Sequence, residues 1–220
     1  MKLDQETNKN RQQLLRKVMQ SARGILHLGA HLGQEAAKYA QLQKSVLWVE
    51  AIPTVCAELT KRLVGYPDQK AFCALLDRVD GLQRTFKISN NMGGVSSSIF
   101  DFDEYGDGEK SLWPDLQLKM INQIILPTVK LDTLFAANEV KAADYDFWVV
   151  DLQGAELLAL QGAEQSLEHC RGLYVEVSKV PVYNGGVLWG ELSQYLSSKG
   201  FGASWPPELE HDDVLFIRQQ

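Results

Sequence analysis

Two glycines frame the first segment whose residue types could bind a ligand. Gly29 and Gly33 belong to HLGAHLG, which ends an apolar run and precedes a helix-prone stretch. Glycine lets the backbone turn tightly and lets a ligand approach it closely. The start of the following helix offers unpaired N–H groups and positive potential. We therefore expect a cofactor turn that includes Ala30 and His31, although a turn without a ligand would use the same glycines.

An acid ends the next apolar run. Glu50 follows VLWV and lies 17 residues after Gly33. In doubly wound sheets, an acid in this position accepts hydrogen bonds from ribose hydroxyls. Together with Ala51, Glu50 indicates an adenosine-containing ligand, which could be a dinucleotide or S-adenosylmethionine.

A further polar group follows the apolar run FWVV. The segment DLQGAE, residues 151–156, contains two carboxylates and an amide. Such a group suits a sulfonium cation or a hydroxyl that must lose its proton, whereas it would repel a diphosphate. The spacing GAHLG also lacks the middle glycine of the dinucleotide motif GxGxxG. Asp151 and Gln153 are therefore expected to contact the cofactor, while stabilisation of a helix N-terminus also explains Glu156.

A hydroxyl acceptor usually needs a base, and several side chains could supply one. The candidates are His31, Asp151, Glu176 and His211. Imidazole titrates near neutral pH, which favours His31. His211 precedes Asp212 and Asp213. We expect a solvated acidic turn there in preference to a metal site.

Alternating strand and helix patterns must bring these groups together. Apolar runs predict strands at 24–30, 45–51, 70–77, 146–152, 173–177, 201–205 and 214–218. Helical spacing predicts helices at 4–22, 34–41, 54–63 and 188–199, with another that begins near residue 156. This order predicts a parallel sheet covered on both faces. The carboxyl ends of its strands would then carry the polar residues.

The middle of the chain departs from this pattern. Residues 79–128 are expected to form an irregular insertion within one domain that spans 1–220 and begins with a helix at 1–23. A strand pair is predicted at 81–89, a loop at 90–98 and an extended segment at 124–131. Asp132 suits the cap of the next helix.

Composition limits the class of protein. Hydrophobic residues make up 45% and charged residues 23%, which are globular values. The net charge of −6 argues against nucleic acid or an anionic membrane as a partner. The cysteines at 56, 73 and 170 are isolated, so no zinc site or disulfide framework is expected. The charged N-terminal segment lacks a signal-peptide core, which favours a cytoplasmic location.

The motifs together resemble the FkbM-type methyltransferases over residues 24–218. The match includes LHLGAHLGQEAAKYA, WVEAIP, LLDRVDG, NNMGGVSSS, LDTL, FWVVDLQGAELLALQGAE, YVEV, YNG and KGF. FWVVDLQGAELLALQGAE at 147–164 is its most specific part. Many members have an acid where this chain has His27, which we expect to be a core histidine bonded to a neighbour.

The resemblance implies an α/β fold: a doubly wound, Rossmann-like class I methyltransferase sheet, mostly parallel, with an antiparallel last strand. It implies S-adenosylmethionine as the cofactor and a hydroxyl of a sugar or other small metabolite as the acceptor. Asp77 would end the third strand and reach the adenine amino group. Because specificity varies in loops on a fixed frame, we expect the acceptor to contact the loop at 90–98, the insertion up to residue 128, residues 183–189 and the acidic loop at 208–213. A nicotinamide-dependent oxidoreductase and a non-catalytic binding protein are the alternatives.

Overall fold

The computed structural model describes residues 5–219. Its main element is a seven-stranded sheet in the order β3-β2-β1-β7-β8-β10-β9. These strands are β1 (Gly24–Leu28), β2 (Ser45–Glu50), β3 (Gln69–Cys73), β7 (Phe147–Val150), β8 (Gly172–Ser178), β9 (Phe201–Ala203) and β10 (His211–Arg218). The other strands are β4 (Leu75–Leu76), β5 (Gln83–Ser89) and β6 (Met120–Val129).

Strand direction follows the expected pattern. β1, β2, β3, β7 and β8 pair in parallel, whereas β10 runs antiparallel to both β8 and β9. The doubly wound sheet with an antiparallel last strand is therefore confirmed. Parallel strands with both faces covered are continuous apolar runs, and all five residues of β1 are buried.

Helices cover the sheet, and two core clusters of buried side chains lie against its faces. The helices are α1 (Gln5–Ser21), α2 (Ala36–Gln41), α3 (Pro53–Leu63), α4 (Leu131–Ala137), α5 (Glu156–Gln161), α6 (Glu164–Leu167) and α7 (Trp189–Ser198). Pro53 occupies the first turn of α3, where its missing N–H costs no hydrogen bond. Among residues 5–219, no helix is long and apolar enough to cross a membrane.

Helix α1 is attached to the far end of the chain through one buried arginine. The Arg11 guanidinium donates hydrogen bonds to the carboxylates of Glu208, at 2.7 Å, and Asp212, at 3.1 Å. It also lies over the Trp205 ring, 5.0 Å from the ring centre. One of the cationic residues of this helix therefore belongs to a buried ion pair.

The third predicted strand is wrong in its extent. Residues 70–77 divide between β3 in the main sheet and β4 in a second sheet of order β4-β6-β5. Ala74 alone lies between the two strands, and its N–H donates to the Glu50 carbonyl at 2.9 Å. The division escapes a pattern argument because both segments are apolar.

The insertion is more regular than expected. In place of a strand pair at 81–89, there is one strand, β5, which pairs antiparallel with the long strand β6. Asp132 lies inside the first turn of α4 and accepts hydrogen bonds from the backbone N–H groups of Gln165 and Ser166. It therefore caps α6 instead of its own helix.

The late acidic segment is also shorter than predicted. His211, Asp212 and Asp213 belong to β10, so they are not a solvated turn. His211 pairs with Ser178 and Asp213 with Glu176 in the antiparallel ladder. This register brings the imidazole beside the end of β8.

Candidate functional site

A cavity of about 170 Å³ lies at the carboxyl ends of β1, β2 and β7. Predicted cofactor residues line it from three separate segments. They are Gly29, Ala30, His31, Glu50, Ala51, Asp151 and Gln153. The sheet thus brings together groups that are more than a hundred residues apart in the chain.

The glycine turn is required by close packing. Gly29 has a φ of +83°, and a β-carbon there would overlap the carbonyl oxygen of Asp151. The N–H groups of Gly29 and Ala30 both donate to the Val49 carbonyl at 3.0 Å. Gly33 does not line the cavity. A β-carbon at Gly33 would lie 2.6 Å from a methyl of Leu59. Its role here is packing against α3.

Glu50 organises two turns at the cavity edge. Its carboxylate is buried and accepts the N–H of His31 and the N–H of Ile52, each at 2.8 Å. Burial raises the pKa of Glu50, while these N–H groups oppose the increase. Each oxygen retains a lone pair for a ligand hydroxyl.

His31 is held in a left-handed backbone conformation, with a φ of +44°. Its Nδ1 lies 2.9 Å from the amide nitrogen of Gln34. Its Nε2 is buried and has no hydrogen-bond partner among residues 5–219. Because His31 lines the cavity, this nitrogen is a polar atom available to a ligand.

His27 is the expected core histidine. Its ring stacks on Trp48, with 4.7 Å between ring centres, and its Nδ1 lies 3.1 Å from the Tyr39 hydroxyl. Burial, followed by the charge of Lys38, lowers the pKa of His27 to about 3. The ring is therefore neutral, and it contributes to the cavity wall without a charge.

Asp77 is a correction to the predicted site. It follows β4 instead of ending a strand of the main sheet, and it lies outside the cavity lining. Its buried carboxylate accepts a hydrogen bond from Arg84 at 3.0 Å and one from the N–H of Arg78. Leu75 and Leu76 line the cavity in its place.

Several lining residues come from the insertion. Phe86 of β5 and Gly94, Val95 and Ser97 of the following loop face the same cavity as Gly29. The sequence predicts that this loop contacts the acceptor, because specificity varies in loops on a fixed frame. Phe86 was missed because a single aromatic residue in a half-exposed strand carries no signal in the sequence.

A group of acids adjoins the cavity. Oxygens of Asp151, Glu156 and Glu176 lie within 4.8 Å of one another. The Gln153 amide nitrogen donates to Asp151 and, at 2.9 Å, to Glu176. The Tyr183 hydroxyl donates to the Gln153 amide oxygen. Glu176 itself lines a small adjoining cleft instead of the main cavity.

Glu156 is fixed by its own turn. Its carboxylate accepts the N–H of Leu152 at 2.9 Å and the N–H of Gly154 at 3.1 Å. Burial raises the pKa of Glu156 to about 7 despite these bonds. Both donors belong to the turn that precedes α5, so the carboxylate fixes this turn at the start of the helix.

The second cleft contains a short hydrogen-bonded series. The His211 Nε2 lies 2.9 Å from a Glu176 oxygen, and its Nδ1 lies 2.6 Å from the Ser178 hydroxyl. The Trp113 ring meets the His211 ring edge-on at 5.1 Å between centres. Burial lowers the pKa of His211, although the surrounding carboxylates oppose this.

The acids strongly affect one another. Burial raises the pKa of Asp151 well above its usual range, and the neighbouring Glu176 adds to the increase. Burial likewise raises the pKa of Glu176, with the charges of Glu156 and Asp213 next. A divalent cation can be held by carboxylates at such spacing. Protein donors reach all three acids, which form a hydrogen-bonded carboxyl cluster.

The cavity fits an adenosine-containing sulfonium compound. It has a carboxylate for ribose hydroxyls at Glu50 and an unpaired imidazole nitrogen at His31. Leu75 and Phe86 provide an apolar wall. The carboxyl group of Asp151 suits positive charge and would oppose a diphosphate.

Comparison with known proteins agrees with this description. The model of the methyltransferase FkbM domain matches residues 27–202. A methyltransferase from Aquifex aeolicus described as SAM-dependent has a similar fold, with a TM-score of 0.50 at 10% identity over 98% of this chain and 99% of that one. A TehB-like SAM-dependent methyltransferase from Corynebacterium glutamicum has a TM-score of 0.44 at 12% identity, with 97% of each chain covered. No curated protein matches the sequence.

The matched region contains every part of the cavity described above, from the glycine turn to Gln153. The fold has the mostly parallel sheet and the antiparallel last strand that the resemblance implied. The chain belongs to the FkbM methyltransferase family, it is a methyltransferase, and S-adenosylmethionine is its cofactor.

Proposed function

We propose that this methyltransferase methylates a hydroxyl oxygen of a sugar or another small metabolite. The observation that carries the proposal is the carboxyl pair of Asp151 and Glu176, held together beside the cavity by the Gln153 amide. Burial raises the pKa of both groups. A carboxylate with a raised pKa is a stronger base for a hydroxyl proton than an exposed one.

The proposed cofactor contacts follow the cavity lining. Glu50 would accept hydrogen bonds from the ribose hydroxyls, with Ala51 beside it. Gly29 and Ala30 would leave room for the methionine portion, with Gly33 supporting the turn from behind. The free Nε2 of His31 supports a polar contact to the ligand. Leu75 and Phe86 would pack against the adenine ring, the position first assigned to Asp77.

When bound, the cofactor supplies an electrophilic methyl group on a sulfonium centre. The chain must align the acceptor oxygen, exclude water and remove one proton. We propose Asp151 as the group closest to the reaction, because it alone of the pair lines the cavity. Glu176 would share the proton with it, and His31 remains a second candidate base.

The acceptor would enter from the side of the second cleft. Tyr183 and Gly186 line this cleft together with Glu176 and His211. Trp113 lies against His211 and offers an aromatic face to a sugar. Trp189 packs near Phe216 and Trp205 under Arg11, so these two support the fold.

Transfer of labelled methyl tests the proposal. S-adenosylmethionine with an isotopic methyl group is incubated with the protein and a fractionated extract of the source cell. The labelled product is identified by mass. We expect a product that gains one methyl group on oxygen, and Asp151→Asn should remove its formation while the fold persists. A product methylated on nitrogen, carbon or a macromolecule would contradict the acceptor class.

Ligand screening separates the earlier alternatives. Thermal shifts are measured with S-adenosylhomocysteine, NAD and NADP. We expect stabilisation by S-adenosylhomocysteine only, since the cavity places a carboxyl group where a diphosphate would lie. Stabilisation by NAD would favour an oxidoreductase, and binding of S-adenosylhomocysteine with no transfer to any fraction would favour a non-catalytic protein.

We also propose a cytoplasmic location and a small-molecule partner in preference to nucleic acid. The support is compositional: the net charge is −6 and the cysteines are isolated.

A further inference from the structure

Hydrogen bonds connect the cavity wall to the second cleft. Asp151 and Gln153 line the cavity, and the Gln153 amide reaches Glu176 at 2.9 Å. Glu176 is 2.9 Å from the His211 Nε2, and the other ring nitrogen is 2.6 Å from the Ser178 hydroxyl. The cofactor turn, the carboxyl pair and the imidazole therefore form one continuous series.

The surroundings of this series are strongly acidic. The titratable groups that face it are Asp151 and Glu156 from the turn after β7, Glu176 of β8, Tyr183 from the following segment, and Asp212 and Asp213 of β10. Carboxyl groups so close together cannot all be ionised, because each charge opposes the next. The Asp151–Glu176 pair must therefore hold a proton in the free protein.

We propose, building on the proposed function, that His211 relays this proton between the Asp151–Glu176 pair and solvent by exchanging its ring tautomer. In the free protein, the Glu176 carboxyl donates to Nε2, and the Nδ1–H group donates to the Ser178 hydroxyl oxygen. With a sulfonium charge bound beside Asp151, the Glu176 proton moves to Nε2. The Nδ1 proton then leaves through Ser178 to solvent, and both carboxyl groups of the pair are ionised.

The pair regains its proton during methyl transfer. It takes the acceptor's hydroxyl proton as the oxygen–carbon bond forms and the carbon–sulfur bond breaks, with the bonding electrons left on sulfur. The product thioether is neutral, so the pair stays protonated, and the His211 ring returns to its Nδ1–H tautomer by proton exchange with solvent, with no net gain or loss of a proton. Over one cycle a single proton passes to solvent, which balances the loss of the sulfonium charge.

Calorimetry measures the proton release without an acceptor. Purified protein is titrated with S-adenosylmethionine and with S-adenosylhomocysteine in phosphate and in Tris, which differ in ionisation enthalpy. We expect release of about one proton for S-adenosylmethionine and about none for S-adenosylhomocysteine. As the pH falls through the range in which the Asp151–Glu176 pair titrates, protonation of the pair competes with binding of the sulfonium cation. Affinity for S-adenosylmethionine should then weaken by up to about tenfold per pH unit, while that for S-adenosylhomocysteine stays constant.

Nitrogen-15 spectra of the histidine rings report the tautomer directly. The His211 signals are identified by their loss in His211→Gln. We expect the proton on Nδ1 with S-adenosylhomocysteine and on Nε2 with S-adenosylmethionine. A histidine with a purely structural role would keep the same tautomer with both ligands.

Glu176→Gln should remove the difference in proton release, whereas Glu168→Gln, at an exposed position, should retain it. Equal proton release with both ligands, an unchanged His211 tautomer, or loss of the release in the presence of a metal chelator would each overturn the relay. If neither ligand bound, the proposed function would fail and the relay with it. Binding of both without a difference would reject the relay alone.

Discussion

Glu50 connects two backbone turns through one side chain. Both of its oxygens accept backbone N–H groups, from His31 on the glycine turn and from Ile52 before α3. An amide could accept only one of these bonds and would turn a donor toward the other N–H. At the residue scale, therefore, the carboxylate both shapes the cavity and is available to the ligand.

Replacement of Glu50 by Gln should lower both stability and ligand affinity. We expect a loss of about 1–3 kcal/mol in the free energy of unfolding, because one buried N–H loses its acceptor. Affinity for S-adenosylhomocysteine should fall roughly 10- to 100-fold. Urea unfolding and calorimetry measure the two effects. Glu58→Gln, at an exposed position on α3, should change neither; equal losses in both variants would contradict the assignment.

His27 predicts how stability responds to acid. Its pKa is about 3 in the folded protein against an ordinary 6.5, so the unfolded chain binds the proton more readily between these values. The contribution of neutral His27 to the free energy of unfolding is therefore fully present above about pH 6.5. It is lost as the pH falls toward 3, by up to about 1.4 kcal/mol per unit. Glu156 has the opposite effect between pH 4.5 and about 7. Because its pKa is raised in the fold, its contribution to stability grows as the pH falls through this range.

The variant His27→Gln isolates the contribution of His27, because the wild type and the variant share the effect of Glu156. Urea unfolding from pH 5 to 7 should give a shallower loss of stability toward acid in the variant, whatever its stability at pH 7. His169→Gln, at an exposed site, should retain the wild-type slope. The same slope in wild type and His27→Gln would mean that the buried ring is not the source.

At the scale of elements, β1 and β7 meet too closely for any side chain at Gly29. A β-carbon there would overlap the Asp151 carbonyl, and the backbone has a positive φ. Gly81 has a similar φ of +78°, but a β-carbon there meets no described atom within 4 Å. Comparison of alanine substitutions at Gly29 and Gly81 therefore separates the cost of a left-handed backbone from the cost of steric overlap.

Gly29→Ala should therefore cost more than Gly81→Ala. We expect about 1–2 kcal/mol for the left-handed conformation alone in Gly81→Ala. Gly29→Ala should add a further loss of about 1–3 kcal/mol from overpacking, and should also displace Asp151 and weaken S-adenosylhomocysteine binding. Chemical unfolding of both variants checks the difference. Equal losses would show that the β1–β7 contact relaxes freely.

The main sheet was predictable because its strands are buried on both faces. Apolar runs such as VLWV mark such strands directly, and each ends where a polar residue reaches the common edge. β5 and β6 form a half-exposed ribbon, so their apolar residues alternate too weakly to define one strand. The sequence does not indicate that the chain passes from one sheet to the other after Cys73, because apolar residues lie on both sides of this point.

The site residues on the main parallel sheet were likewise predictable from the sequence, whereas those that depend on the second sheet or on strand register were not. Gly29, Glu50 and Asp151 were found because they end strands of the main sheet. Asp77 was placed in the cavity by extending the third strand into β4. The bond from His211 to Glu176 depends on the register of two antiparallel strands, which residue types alone do not determine.

At the scale of the whole molecule, Arg11 connects the two ends of the chain. It is 8% exposed and is hydrogen-bonded to Asp212, whose side chain is also 8% exposed. Removal of one partner leaves a buried charge without its counterion. The helix α1 is held to β10 by this contact and by its apolar face.

Arg11→Met should destabilise the protein by about 2–3 kcal/mol, because Asp212 loses its partner. Arg16→Met, on the exposed side of α1, should cost less than about 0.5 kcal/mol. Thermal unfolding of the two variants measures the difference. If Arg11→Met were as stable as Arg16→Met, α1 would be held by apolar packing alone.

The one-residue crossing at Ala74 has a mechanical consequence. Cys73 is paired with Glu50 in the large sheet and Leu75 with Thr128 in the small one, so the linker between the two ladders has no slack. Ala74 also lines the cavity. Binding of S-adenosylhomocysteine should therefore slow amide hydrogen exchange in β5 and β6 as well as beside the ligand, which mass spectrometry can detect. Strand β6 contributes no residue to the cavity lining, so protection there would be transmitted through the Ala74 linker and through β5.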